Sequence, residues 1–387
     1  MPAWLQVLVI YAASLVLHIV VPGRIVTGYA CTNAGVPLRY KLNGIVVFVA
    51  VCLIFQFGLA PAQQVVLYAD YFHTCLTAFI VGILASIFFF LRPHAEELFS
   101  RCVTVDQLTQ AGKVDLDKVV SARGLRPSAP LAFFLGREWN PRFLGVDVKM
   151  WLYLVGATGL GCNILSCAAY QRAAWGGATS TAMGVYVGCF SWFLVEYLLG
   201  EEVHLYTYDI FAEKIGFKLA WGCLVFYPCF YCIGAFSVAA AKKGVDITDA
   251  QAVGCVALFL LGWMTTRGAN MQKFYFRTRP ESKTFFFGLF RQEVLPGTRI
   301  LVSGFWGVAR HVNYLGEIVQ ALALALPGVA VGPTPLLRAL PLLYPLYYVA
   351  LFVPRQMDDD ALCQQKYGEQ WSRYMKRVPS RIVPGVW

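Results

Sequence analysis

A chain of 387 residues that is 58% hydrophobic and only 14% charged lacks the polar surface of a soluble domain and belongs in a bilayer. Its net charge of +10 raises nucleic acid as a partner, but no basic run or separate soluble domain carries that role, so nucleic-acid binding is excluded. The expected fold class is all-α, a polytopic membrane protein with about nine or ten transmembrane helices, each needing roughly 20 apolar residues.

In chain order, apolar runs cover 4–21, 44–59, 74–91, 150–169, 181–199, 219–241, 253–266, 312–331 and 336–353. The stretch 206–219 is a further candidate. The first run lacks a basic n-region, and Val21-Pro22-Gly23 is a poor cleavage site, so it reads as a retained anchor. With nine spans, the segments 23–43, 92–149, 200–218, 267–311 and 354–387 fall on one side and hold 28 of the 32 Lys and Arg. That bias marks the cytoplasmic face, on which the C-terminus is expected.

The connector 23–43 is rich in Gly and Pro and ends at Asn43-Gly44, where the second helix is expected to start. The segment 92–149 is the longest piece outside the membrane, with a short helix expected around 104–120. It closes with GREWNPRFLGVDVK, where Arg137, Glu138, Asn140, Arg142 and Asp147 crowd a helix entry. A structural clamp is the favoured reading over a headgroup-level contact, because charges gather at helix ends. GATGLG at 156–161 imitates a nucleotide-binding loop, yet it interrupts an apolar run with no strand-helix units around it. Close helix packing by small residues accounts for it better. Cys229 and Cys232 form a CxxC inside a span, which is weak evidence for metal or redox chemistry, and no metal site is expected.

Acidic residues Glu201, Glu202, Asp209 and Glu213 precede a span carrying Trp221, Tyr227 and Tyr231, and these aromatics either line a lipid pocket or pack. RGANMQKFYFRTR supplies Arg267, Asn270, Lys273, Arg277 and Arg279. The stretch SGFWGVARHVNYLGE sets Arg310, His311, Asn313, Tyr314 and Glu317 against a membrane segment, where charge is costly and is kept for a ligand or an internal partner. A helix starting near His311 puts Asn313 and Glu317 on one face, and Arg310 and Tyr314 on a neighbouring one. The alternative is a helix end at the interface, with Trp306 in the aromatic belt. Past the last span, Asp358, Asp359 and Asp360 form a carboxylate run, and helical spacing puts Asp359 on the face of Cys363.

These residues resemble the membrane sterol reductase family, which includes the sterol C-14, C-7 and C-24(28) reductases and the reductase-like domain of lamin B receptor. FFLGREWNPR, RGANMQK, LVSGFWGVARHVNYLGE and VPSRIVPG all fit, as does a signature at Arg355, Asp359, Cys363, Lys366, Tyr367 and Gly368. Asp358 stands where that signature has a second Arg. The resemblance implies one membrane domain over 1–387, with helices and a cytoplasmic loop to about residue 150 and a sterol pocket and nucleotide part over about 200–387. It implies NADPH bound by Lys273, Arg277, Trp306, Arg310, His311, Asn313, Tyr314, Arg355, Asp359, Cys363 and Tyr367. A sterol drawn from the bilayer would meet Glu202, Asp209, Trp221 and Tyr231, with Tyr231 and Asp359 as proton donors. The expected activity is reduction of a sterol ring double bond at C-14, in the endoplasmic reticulum membrane if the source is eukaryotic. Alternatives are reduction at C-7 or C-24(28), an isoprenylcysteine-type membrane methyltransferase, and a non-catalytic sterol-binding protein.

Overall fold

The computed structural model describes residues 1–32, 35–92, 104 and 128–386. The helix expected around 104–120 falls outside them, apart from Thr104, which bridges to Ala30. Among the described residues, eight helices are long and apolar enough to cross a membrane, and Gly44–Gly58 is a shorter apolar helix. The chain divides into two compact units, one of Met1–Thr179 with Ser191–Ala239 and one of Ser180–Phe190 with Ala240–Trp387.

The first unit holds α1 (Ala3–Val20), a hairpin of β1 (Arg24–Cys31) and β2 (Pro37–Leu42), α2 (Gly44–Gly58), α3 (Tyr71–Leu91), the ribbon of β3 (Arg142–Phe143) and β4 (Val146–Asp147), and α4 (Val148–Ala174). After α5 (Thr181–Leu199) comes α6 (Phe217–Ala239). The core runs along α4, whose apolar window is 89% buried against 39% for α1. Its small residues explain why. A Cβ on Gly156 would lie 2.7 Å from the Cys223 carbonyl oxygen, and one on Gly161 would lie 2.8 Å from the Phe48 ring. The GATGLG stretch is thus a packing stripe against α6 and α2. Pro228 sits inside a π-helical turn of α6, Gly222–Phe230, a wider winding that tolerates a missing N–H. The Pro228 carbonyl accepts from Asn163 Nδ2 at 2.9 Å.

The 23–43 connector is an antiparallel hairpin with Arg24 opposite Leu42 and Thr27 opposite Arg39, and a bulge before Cys31. No span is hidden in 206–219, where the chain makes the short helix Tyr208–Phe211 and turns back. The Cys232 thiol donates to the Cys229 carbonyl at 3.2 Å, a packing arrangement inside α6.

In the second unit α7 (Asp249–Thr278), α8 (Val312–Val331), α9 (Leu343–Tyr367) and α10 (Glu369–Arg377) surround the polar residues of interest, with a ribbon of β5 (Thr284–Phe285) and β6 (Phe290–Arg291) between α7 and α8. Two helices outrun their apolar cores. α7 begins four residues before the expected start through a capping box, in which Thr248 Oγ1 accepts from the Gln251 N–H at 3.3 Å and Gln251 Oε1 from the Thr248 N–H at 2.9 Å. It then continues twelve residues past Thr266, so RGANMQK is helical and not a loop. α9 runs through Pro354 to Tyr367, carrying the Asp358–Asp360 run on helix. α7 and α8 touch backbone to backbone at Gly262 and Gly316, since a Cβ on Gly262 would lie 2.7 Å from both the Gln320 nitrogen and the Gly316 oxygen.

Candidate functional site

The far half of α7 holds the turn that leads into α8. Buried Gln272 donates to the Ser303 carbonyl at 3.2 Å and accepts from the Phe305 N–H at 3.0 Å. Gly304 meets that amide at φ +60°, a conformation and a closeness that only glycine meets without strain. Trp306 Nε1 donates to the Ala269 carbonyl at 2.9 Å, and the Lys273 ammonium lies 4.8 Å above the Trp306 ring. The exposed edge of this turn is therefore fixed before α8 begins.

Arg310 and His311 follow at the entrance to α8, and both are buried, with side chains 4% and 3% exposed. Arg310 faces protein with all three nitrogens. Nε and Nη2 grip the Asp360 carboxylate at 3.3 and 3.1 Å, while Nη1 donates to the Val378 and Pro379 carbonyls at 2.9 and 2.8 Å. Their backbone N–H groups donate to Ser380 and Arg381 at 3.0 and 2.7 Å, so the final segment is laced to the start of α8. Gln356 Nε2 donates to Asp360 Oδ2 at 2.6 Å. The His311 ring lies between two carboxylates, with Nδ1 3.6 Å from Asp359 and Nε2 3.6 Å from Asp360. Such burial is sustained only because the guanidinium meets a bidentate carboxylate and two carbonyls together.

An aromatic column continues inward from His311. Tyr314 stacks on it with centroids 5.3 Å apart, Phe352 on Tyr314 at 4.4 Å, and Tyr348 on Phe352 at 5.0 Å. Asn313 donates to Asn270 Oδ1 at 3.3 Å, and its own Oδ1 is buried with no protein donor. On the other side, Cys363 and Tyr367 pack on a cluster of Leu295, Ile300, Trp371, Tyr374 and Val378. Tyr374 sends its hydroxyl to the Trp306 carbonyl at 2.9 Å. Burial pushes that phenol well above its usual range. Arg277, Asp359, Cys363 and Lys366 all lie within electrostatic reach of Lys273. Lys273, Arg277 and Lys366 are the basic members of this group, and Lys and Arg side chains suit phosphate. Arg355 sits one turn before Asp359 on α9.

Sequence reasoning named Asp360 only as part of a carboxylate run, without its partner Arg310, and missed Gln356. Three consecutive carboxylates step around a helix, and only the packed helix shows that Asp360 turns to Arg310 while Asp359 faces His311.

The residues expected on the sterol side all belong to the first unit, and it does not gather them into one cluster. Trp221 and Tyr231 share an aromatic run through Phe226, at 6.1 and 5.9 Å. Glu202 forms an ion pair with Arg24 of β1. Asp209 lies on the Tyr208–Phe211 helix, which is pinned elsewhere: fully buried Lys149 donates to the carbonyls of Asp209, Ile210 and Glu213 at 2.9, 2.9 and 2.6 Å. Asp147, the N-cap of α4, accepts from the Met150 N–H at 3.1 Å, and burial raises its carboxyl above the usual range. This is the structural clamp expected at GREWNPR. Neighbouring Glu201 accepts from the Gly44 N–H at 3.0 Å, and burial pushes its carboxyl up to about 7.

A family model described as the Ergosterol biosynthesis ERG4/ERG24 family matches residues 2–387. The chain is 34% identical over 255 residues to a Delta(14)-sterol reductase of Arabidopsis thaliana, covering 66% of this chain and 65% of that protein. It is 36% identical over 258 residues to a Delta(14)-sterol reductase of Methylotuvimicrobium alcaliphilum, covering 66% of this chain and 58% of that one. To the Delta(14)-sterol reductase TM7SF2 of Mus musculus it is 32% identical over 359 residues, covering 90% and 77%. The chain thus spans less than two thirds of the plant and bacterial relatives. A match over almost every residue makes this chain a member of the Ergosterol biosynthesis ERG4/ERG24 family, and its membrane-length helices agree with that.

Proposed function

We propose that the chain is an NADPH-dependent sterol reductase that saturates the C-14 ring double bond. The observation that carries the reading is the buried Arg310, Asp360, His311 and Asp359 arrangement at the entrance of a membrane helix, beside the cationic group around Lys273. Relatives named Delta(14)-sterol reductase point to the same bond. The donor set fits the nucleotide: Lys273, Arg277 and Lys366 suit its phosphates, and the orphaned Asn313 Oδ1 awaits a donor. Arg310, whose nitrogens all face protein, acts here as the strut that sets His311 and Asp360.

An isolated alkene has no carbonyl to polarise, so an acid must protonate one carbon while a hydride quenches the cation at the other. NADPH, when bound, supplies that hydride. Asp359, paired with His311, and Tyr231 are the groups proposed to hold and deliver the proton. The sterol enters from the bilayer, in the endoplasmic reticulum membrane if the source is eukaryotic, with the basic segments and the C-terminus cytoplasmic. The test is to incubate purified protein with NADPH and a panel of sterols unsaturated at C-14, C-7 or C-24(28), and to read product mass and bond position. Saturation at C-14 is expected. Saturation only at another position reassigns the bond, and S-adenosylmethionine-dependent methyl transfer overturns the reading.

A further inference from the structure

The connection between α7 and α8 ends in an apolar tip that the reductase reading does not use. β5 and β6 pair as a two-stranded ribbon, Thr284 opposite Arg291 and Phe285 opposite Phe290. At its turn Phe286, Phe287 and Leu289 are 54, 98 and 72% exposed. The backbone there is left-handed at three successive residues, with φ of 51° at Phe286, 52° at Phe287 and 87° at Gly288, and the Leu289 N–H donates to the Phe286 carbonyl at 3.0 Å. Bulky side chains rarely adopt that region, so two rings are held outward against both strain and water. The nearest charges on either side, Lys283 and Arg291, are exposed cations.

The ribbon's place in the fold says what meets this tip. A helix of 30 residues is roughly 45 Å long, against about 30 Å of hydrocarbon, so α7 overhangs the bilayer. The ribbon does not stand off the end of that overhang. Phe285 packs on Tyr275 at 5.7 Å, Phe290 packs on Phe305 at 5.7 Å, and the Phe305 ring fills the notch at Gly268, two residues past the apolar run. It therefore lies alongside the last turns of α7, level with Gly268 to Tyr275 and so next to the end of the apolar run. An aromatic tip flanked by cations and held at that level has the chemistry of an interfacial anchor, with rings at the acyl boundary and ammonium and guanidinium groups among anionic headgroups.

We propose that the tip at 286–289 inserts into the headgroup boundary of the bilayer that α7 and α8 cross, fixing the height of the connection that carries Trp306 and Arg310. The test uses the full chain reconstituted in phosphatidylcholine vesicles containing phosphatidylserine. A nitroxide is attached at Phe287→Cys or, as reference, at exposed Lys376→Cys, and the signal of the identically treated parent chain is subtracted. Insertion predicts an oxygen-to-nickel-complex collision ratio several-fold higher at 287 than at 376. Equal ratios overturn the proposal and leave the tip to a protein partner. Leu289→Cys gives the same reading should Phe287→Cys fail to fold.

Discussion

Arg310 and Asp360 show how burial changes what one carboxylate is worth. Neutralising the carboxylate that faces a buried guanidinium leaves an uncompensated charge, so Asp360→Asn should destabilise the protein by about 3–5 kcal/mol, measured by denaturation in detergent. Asp359, facing His311 at 3.6 Å without a hydrogen bond, should cost less than about 1 kcal/mol as Asn on the same assay. Glu201 makes a pH prediction of opposite sense to an ordinary ion pair. Its folded carboxyl is raised from 4.5 to about 7 by burial, so the folded state holds its proton longer than the unfolded chain does. The resulting stability is complete below the unfolded value and is lost as pH rises from about 4.5 through 7. Glu201→Gln keeps an acceptor for the Gly44 N–H and should match wild type at pH 4, yet exceed it by up to about 3 kcal/mol above pH 8. A constant difference across that range would contradict the assignment. Sequence pattern set Arg310, His311, Asn313, Tyr314 and Glu317 as a polar group against a membrane segment, to which the family resemblance added Lys273 and Asp359. It could not tell Asp359 from Asp360, because the two differ only by a hundred-degree step around a helix whose facing was unknown.

Elements were legible where hydrophobicity alone sets them. The runs at 181–199 and 312–331 coincide with α5 and α8, since there the apolar stretch and the helix end together. They part company at α7 and α9, where backbone hydrogen bonding continues beyond the hydrocarbon and the charged turns are sheltered by neighbouring protein. The capping box of Thr248 with Gln251 went unread ahead of an apolar run, as did the strand at PLRYKL in a Gly- and Pro-rich connector, and the long-range partners Arg24 to Thr27 lack an alternation that would mark them. The α7–α8 contact rests on the absence of a side chain. Gly262→Leu should force the two backbones apart at Gln320 and Gly316 and cost about 1–3 kcal/mol or more, lowering the midpoint of thermal denaturation. An unchanged midpoint would show that the helices can separate freely.

For the whole molecule, composition alone pointed to a multi-pass membrane protein, and the eight membrane-length helices among the described residues agree with it. Composition could not assign residues to units, because Ser180–Phe190 joins chain that resumes only at Ala240. The proposed nucleotide preference is a property of the Lys273 locality. A charge-assisted bond to the extra phosphate of NADPH is worth about 1.5–3 kcal/mol, so Lys273→Gln should reduce the preference for NADPH over NADH by about tenfold or more while leaving NADH affinity nearly unchanged. Equal losses for both nucleotides would place Lys273 elsewhere on the cofactor.

The most direct measurement is single-turnover sterol reduction by Asp359→Asn and Tyr231→Phe, normalised to folded, detergent-purified protein and accompanied by NADPH binding. Proton delivery through these groups predicts a fall of about a hundredfold or more in each variant, with NADPH affinity retained by Tyr231→Phe. Wild-type rates in both variants would contradict the mechanism, leaving Asp359 as a partner of His311 and Tyr231 as a packing residue.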